Sequence, residues 1–181
     1  MNPIVIAGSG LAGYNLAREI RKLDKEVPLL VITSDGGEYY SKPMLSNALS
    51  TKKQPAQLPM STAEQMAASL PATVRTRTTI TAIDTAAHTV SIGTETVVYS
   101  KLVLALGAEQ IRLPLEGDAD AILTVNDLDD YARFRDAISG KNAIAVIGGG
   151  LIGCEFANDL AATGHEVHVI DLSLIHISEP T

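Results

Sequence analysis

The sequence has one cysteine, Cys154, and no tryptophan among its 181 residues. One cysteine excludes an intrachain disulfide, a CxxC redox pair and a cysteine-rich metal site. Only 4% of the residues are aromatic, which leaves few rings on which single-stranded bases could stack. Positive charge is also scarce, because 14 Lys and Arg oppose 21 Asp and Glu, for a formal net charge of −7. We therefore expect neither nucleic acid nor an anionic membrane surface as a partner.

Long hydrophobic runs and targeting signals are missing as well. No apolar run approaches the roughly 20 residues of a membrane-spanning helix, so no membrane span is expected. Residues 1–4 lead directly into a strand-like run without a basic region or a cleavage site, which argues against a signal peptide. The four histidines are not accompanied by carboxylates or thiols at ligand spacing, so the sequence predicts no metal site. A cytoplasmic location is the expectation that remains.

One motif occurs twice in the sequence, at an offset of 140 residues. Short apolar runs at residues 4–7 and 143–147 each lead into a GxGxxG motif, a helical stretch and a second strand-like run. Each copy predicts a βαβ unit with parallel strands, and this context makes GxGxxG a fingerprint for dinucleotide binding. The glycines of the motif are Gly8, Gly10 and Gly13 in the first copy and Gly148, Gly150 and Gly153 in the second. In each copy the first glycine is predicted to permit the tight turn, the second to let the backbone approach a pyrophosphate, and the third to let the helix pack close to the strand.

An acidic residue after the second strand of such a unit can accept hydrogen bonds from ribose hydroxyls. Asp171 has this position in the second copy, and its charge predicts a preference for NADH over NADPH. Asp35 is the corresponding residue of the first copy. It is equally consistent with a turn residue ahead of Gly36 and Gly37.

The segment between the two motifs has a different pattern. A capping-box spacing from Ser61 to Glu64 predicts a short helix that runs to Leu70. Residues 72–99 are rich in Thr and Val and predict a small antiparallel meander. An apolar strand is predicted at residues 102–106, and a surface helix at residues 127–138.

The two predicted units, separated by Leu-Ala-Leu-Gly at residues 104–107, resemble the two-dinucleotide flavoprotein reductases of the pyridine nucleotide-disulfide oxidoreductase superfamily. Within that superfamily, Tyr-Ser-Lys-Pro-Met-Leu-Ser at residues 40–46 is similar to the flavin-facing loop of the rubredoxin–NAD reductases and of flavorubredoxin reductase. The resemblance implies an α/β fold, with a Rossmann-like FAD-binding domain and antiparallel β-meander at residues 1–110. The first βαβ unit of a Rossmann-like NAD-binding domain would follow at residues 111–171.

The resemblance also implies an activity and a partner. NADH would pass hydride to FAD, and the flavin would deliver single electrons to rubredoxin or a similar small iron protein. Residues 172–181 do not fit the domain pattern, and we interpret the chain as a truncated reductase with an atypical tail that is inactive alone.

Specific residues take roles through the resemblance. Lys42 would lie near the flavin N5 with Pro43 beside the ring, and Glu155 would reach the flavin from the second domain, where Lys42 can hold it by charge. The residues implied along FAD are Ser9, Gly10, Leu11 and Ala12 at the pyrophosphate, Thr33 and Ser34 at the ribose, and Ile80 at the adenine. Leu151 and Ile152, with the second set of glycines, would bind NAD.

Alternatives remain open from the residues alone. Taken without its surrounding motif, Lys42 is more typical of a solvated surface lysine, and only the residues at 40–46 favour the flavin role. Glu155 is also consistent with a first-turn helix residue favoured by the helix dipole. Cys154 lacks the second thiol of a disulfide reductase, so electrons would leave the flavin directly. A flavin-containing monooxygenase and a redox-sensing NADH- and FAD-binding protein like apoptosis-inducing factor are the alternative functions.

Overall fold

The computed structural model describes residues 1–111, 116, 117 and 121–171, so the tail at residues 172–181 lies outside the described residues. Two compact units are present. The first unit comprises Met1–Tyr40 and Pro59–Glu109, and the second comprises Ser41–Leu58 together with the described part of Gln110–Thr181. The segment Ser41–Leu58 therefore groups with the second glycine motif, although it is closer in sequence to the first.

A four-stranded parallel sheet forms the centre of the first unit. Its strands are β1 (Ile4–Ala7), β2 (Leu29–Ile32), β3 (Thr73–Arg75) and β7 (Lys101–Leu104), arranged in the order β3-β2-β1-β7. Helix α1 (Leu11–Leu23) connects β1 to β2, and helix α2 (Ala63–Ser69) precedes β3. This order, with the first strand inside the sheet, is half of a Rossmann fold and confirms the α/β prediction.

The antiparallel meander is shorter than the sequence predicts. It consists of β4 (Ala82–Asp84), β5 (Thr89–Ile92) and β6 (Glu95–Val98). The prediction that it begins near residue 72 is wrong, because β3 pairs in parallel with β2 and extends the central sheet. Both segments are short and rich in β-branched residues, so local composition does not distinguish one sheet from the other.

The central sheet is covered on both faces, which explains its continuous apolar strands. On one face, Ile6 packs with Tyr14 of α1 and Met66 of α2. On the other face, Val5 packs with Val90 and Tyr99 of the meander region. Neighbouring residues of β1 thus belong to opposite hydrophobic clusters, as the alternation of side chains along a strand requires.

The second unit contains a smaller parallel pair of strands. Strands β8 (Ala143–Ile147) and β9 (Glu166–Ile170) are joined by helix α4 (Leu151–Ala162), and helix α3 (Leu128–Ile138) precedes them. The unit also has 3₁₀ helices at Lys42–Asn47 and Pro55–Gln57. The rings of Phe134 on α3 and Phe156 on α4 meet edge to face with centroids 5.6 Å apart.

The cap of α2 differs from the prediction by one residue. Thr62, not Ser61, is the N-cap, and its hydroxyl accepts a hydrogen bond from the backbone N–H of Gln65 at 3.3 Å. In turn, Gln65 Oε1 accepts a hydrogen bond from the backbone N–H of Thr62 at 2.9 Å. Ser61 instead forms an isolated β-bridge with Tyr39, which holds its backbone outside the helix.

Tyr14 gives a testable pH dependence of stability. Its side chain is fully buried, and its hydroxyl donates to the carbonyl of Gly37 at 2.6 Å. Burial raises the pKa of Tyr14 from 10.0 to about 12. Because the unfolded chain ionises first, the folded state should lose stability as the pH rises from about 10 to about 12.

We predict that Tyr14→Phe removes part of this loss. At about pH 11 the raised pKa of Tyr14 in the folded state lowers the unfolding free energy of wild type by roughly 1.4 kcal/mol relative to neutral pH. Phenylalanine has no ionisable proton, so the variant does not suffer this loss. Near neutral pH the variant should be about 1–2 kcal/mol less stable, because the carbonyl of Gly37 loses its buried donor. Urea unfolding at about pH 8 and about pH 11 measures both effects. If wild type and Tyr14→Phe lose the same unfolding free energy between about pH 8 and about pH 11, Tyr14 is not the source of the pH dependence.

Candidate functional site

The two glycine loops have matching backbone geometry. The N–H of Gly8 donates to the carbonyl of Ile32 at 2.8 Å, and the N–H of Gly148 donates to the carbonyl of Ile170 at 2.8 Å. The φ angles are +112° at Gly8 and +107° at Gly148, a region that side chains disfavour. In each unit this bond ties the start of the loop to the end of the second strand.

Close helix packing explains the third glycine of each motif. A Cβ at Gly13 would lie 2.0 Å from the carbonyl oxygen of Gly8, and a Cβ at Gly153 would lie 1.9 Å from that of Gly148. By contrast, a Cβ at Gly10 or Gly150 would meet no atom within 4 Å. The middle glycines thus keep the backbone open for a ligand, while the third glycines let the helix approach its strand.

The starts of α1 and α4 are suited to bind an anion. Their N-caps, Gly10 and Gly150, make no side-chain capping bond, and neither helix has an acidic residue in its first turn. The first amides and the positive end of the helix dipole are therefore available for phosphate oxygens. Exposed residues occupy both first turns, namely Leu11 and Ala12 in α1 and Leu151 and Ile152 in α4.

Polar side chains beyond β2 are organised around one carboxylate oxygen. Asp35 Oδ1 accepts from Thr33 Oγ1 at 2.6 Å and from Ser9 Oγ at 3.1 Å. The same oxygen accepts from the N–H of Gly37 at 2.9 Å. Asp35 therefore stabilises the turn at Gly37, and its carboxylate also lies beside the first glycine loop. Ser34, which follows Thr33, is exposed.

Asp171 lies against the second glycine loop. Its Oδ2 accepts a hydrogen bond from the N–H of Gly149 at 2.5 Å. The residue directly follows β9, where the sequence predicts the ribose-binding carboxylate. The structure therefore brings Asp171 and the loop together, as required of a group that binds ribose beside a pyrophosphate.

Lys42 and Glu155 both belong to the second unit, but with different partners. Lys42 Nζ donates to Asn126 Oδ1 at 2.5 Å, and Ser46 Oγ donates to Glu155 Oε2 at 2.5 Å. Within the described ranges no ion pair joins Lys42 to Glu155, so the expected charge pairing is not seen. Lys42 is bound instead by the uncharged side chain of Asn126, and Glu155 by that of Ser46. Pro43 is the second residue of the 3₁₀ helix and lies in its first turn, where its missing N–H costs no hydrogen bond.

Sequence reasoning missed a buried carboxylate on α4. Asp159 is 1% exposed, and its two oxygens accept from the N–H groups of Leu49 and Ser50, each at 2.8 Å. One signal could have revealed it: Asp159 follows Glu155 by one helical turn in an otherwise mostly apolar helix. The same segment is also bound from α3, where Arg135 Nη1 donates to the carbonyl of Lys53 at 2.8 Å.

The remaining predictions concern Ile80, metals and membranes. Ile80 lies just before β4 and packs against the cluster that contains Val5 and Val90. In the part of the chain that the structure describes, no group of three His, Cys, Asp or Glu side chains could hold a metal ion. No helix within those residues is long and apolar enough to cross a membrane.

Relatives confirm the resemblance drawn from the glycine motifs and residues 40–46. Rubredoxin-NAD(+) reductase of Alcanivorax borkumensis is 49% identical over 94% of this chain and 45% of that protein. Rubredoxin-NAD(+) reductase of Acinetobacter baylyi is 49% identical over 96% of this chain and 46% of that protein. The chain thus spans about half the length of these curated relatives.

Solved structures and a family model agree with these relatives. The crystal structure of NADH:rubredoxin oxidoreductase from Clostridium acetobutylicum matches with a TM-score of 0.78 and 25% identity. The match covers 94% of this chain and 44% of that one. The family model described as pyridine nucleotide-disulphide oxidoreductase matches residues 2–176. The paired glycine loops and these similarities together show that the chain belongs to the pyridine nucleotide-disulphide oxidoreductase family.

Proposed function

We propose that the protein carrying this chain is an FAD-dependent NADH oxidoreductase that passes electrons to rubredoxin or a similar small iron protein. The duplicated loop geometry carries this proposal, because two phosphate-binding turns in one chain suit two dinucleotides. The names of the relatives support rubredoxin as the acceptor class. A cytoplasmic location is part of the same proposal.

The residues present fit FAD on the first loop. The amides that follow Gly10 would bind the pyrophosphate, and Ser9 lies beside them, held by Thr33 and Asp35. Only one oxygen of Asp35 makes the three bonds described above, so the other can accept from a ribose hydroxyl. We assign residues 1–110 to the FAD-binding domain, with Ile80 toward the adenine and Ser34 toward the ribose.

The second loop fits NADH by the same argument. The amides after Gly150 would bind its pyrophosphate, and Asp171 would accept from the ribose hydroxyls in exchange for its bond to Gly149. Residues 111–171 would form the start of this NAD-binding domain. The segment Ser41–Leu58 packs with this unit, which places Lys42 and Glu155 in one structural group.

The chemistry divides between cofactor and protein. Bound FAD would supply the chemistry that connects a two-electron hydride donor to a one-electron acceptor. Lys42 would contribute a cation, held by Asn126, that could stabilise negative charge developing on the flavin. Since Cys154 is the only cysteine of the chain, no dithiol within it can relay electrons.

The proposal is tested with the purified full-length protein, loaded with FAD and mixed with NADH and oxidised rubredoxin under anaerobic conditions. We expect NADH oxidation to proceed in step with bleaching of the rubredoxin absorbance. If rubredoxin is not reduced and NADH is oxidised only in a parallel assay in air, the protein is instead an oxidase or a monooxygenase.

Asp171 predicts the choice of nicotinamide cofactor. The carboxylate would accept from both ribose hydroxyls of NADH and repel the 2′-phosphate of NADPH. We expect at least about a tenfold preference for NADH in kcat/KM, or roughly 1.4 kcal/mol. Asp171→Ala should narrow the preference mainly by weakening NADH. Equal use of both cofactors by wild type would remove Asp171 from the ribose site.

Lys42 predicts a defect in electron transfer without loss of cofactor. Lys42→Ala should slow flavin reduction or rubredoxin reduction by about ten- to a hundredfold, because a charge-assisted contact is lost. Lys101→Ala, a matched change at an exposed lysine of β7, should leave the rates unchanged. Stopped-flow absorbance at the flavin band measures both half-reactions. If Lys42→Ala matches wild type in both, Lys42 is an ordinary surface lysine.

A further inference from the structure

We propose that Asp159 is a positioning residue for flavin chemistry, which acts by fixing the segment Ser41–Leu58 to α4 so that Lys42 is held in place. This inference rests on the proposed function and adds a residue that touches neither dinucleotide-binding loop. Asp159 lies two helical turns beyond the glycine loop that begins α4. Its partners, Leu49 and Ser50, lie just beyond the C-cap of the 3₁₀ helix that Lys42 begins.

The geometry of Asp159 is specific to a carboxylate. Each of its two oxygens accepts one backbone N–H, both at 2.8 Å, so an amide side chain would direct an NH₂ group at one of the donors. A carboxylate that is 1% exposed needs such partners, because a buried charge without hydrogen bonds is strongly destabilising. The pair of bonds thus fixes the backbone of the segment in position and in orientation.

Further contacts restrain the segment on either side of Asp159. Glu155, one helical turn earlier on α4, accepts from Ser46, and Arg135 of α3 binds the carbonyl of Lys53. At the start of the segment, Lys42 is bound by Asn126. Asp159 holds the middle of this series through backbone groups, whereas Ser46 and Lys42 are bound through side chains. Loss of Asp159 should therefore make the backbone of Ser41–Leu58 more mobile. The side chains of Ser46 and Lys42 would then be positioned less precisely.

A double-mutant cycle with Lys42 separates positioning from simple destabilisation. In the full-length holoprotein, Asp159→Asn should slow flavin reduction by NADH by at least about fivefold while FAD remains bound. In a Lys42→Ala background the same change should add little, because the residue through which it acts is already absent. Asp136→Asn, the same substitution at an exposed position of α3, serves as the matched control and should leave the rate unchanged.

Hydrogen exchange locates the effect within the chain. Asp159→Asn should accelerate exchange at the amides of Leu49 and Ser50, with little change in the strands β8 and β9. The inference is overturned if Asp159→Asn reduces flavin at the wild-type rate, or if its effect is undiminished in the Lys42→Ala background. Failure of wild type to reduce its flavin with NADH would instead refute the proposed function, and this inference with it.

Discussion

The rest of the structure depends on the close approach of each glycine-loop helix to its own first strand. At Gly13 and Gly153 a single added carbon would lie about 2 Å from the carbonyl oxygen of the loop's first glycine. Only this approach lets the helix follow a tight turn directly and present its first amides beside the strand end. The same close approach occurs in both glycine loops, which favours two bound dinucleotides over one.

A second dependence lies in α4, which serves two purposes in its unit. Its first turn follows the second glycine loop, and its later turns hold the segment that carries Lys42 through Glu155 and Asp159. One helix therefore connects the second glycine loop to the segment that carries Lys42 within a single unit. This arrangement also accounts for a buried charge in a small unit, since two backbone donors satisfy Asp159 fully.

Local patterns predicted the elements around the glycine motifs. The strand at residues 143–147 and the helix after Asp127 have the predicted bounds, since apolar runs, glycine spacing and capping residues act over a few positions. The pairing of segments that are distant in sequence leaves no comparable local pattern of residues. The position of β3 beside β2 and the bonds from Asp159 to a segment 110 residues away depend on tertiary structure, as do the partners of Lys42 and Glu155. No spacing in the sequence indicates an acceptor, and the proposal of rubredoxin rests on the resemblance of residues 40–46 and on the names of the relatives.

A crystal structure of the full-length protein with FAD and NADH bound would test whether the first glycine loop binds FAD and the second binds NADH. We expect the FAD pyrophosphate on the amides that follow Gly10, the NADH pyrophosphate on those that follow Gly150, and Lys42 Nζ beside the flavin ring. FAD on the second loop, or a flavin ring remote from Lys42, would contradict the assignment of the two loops.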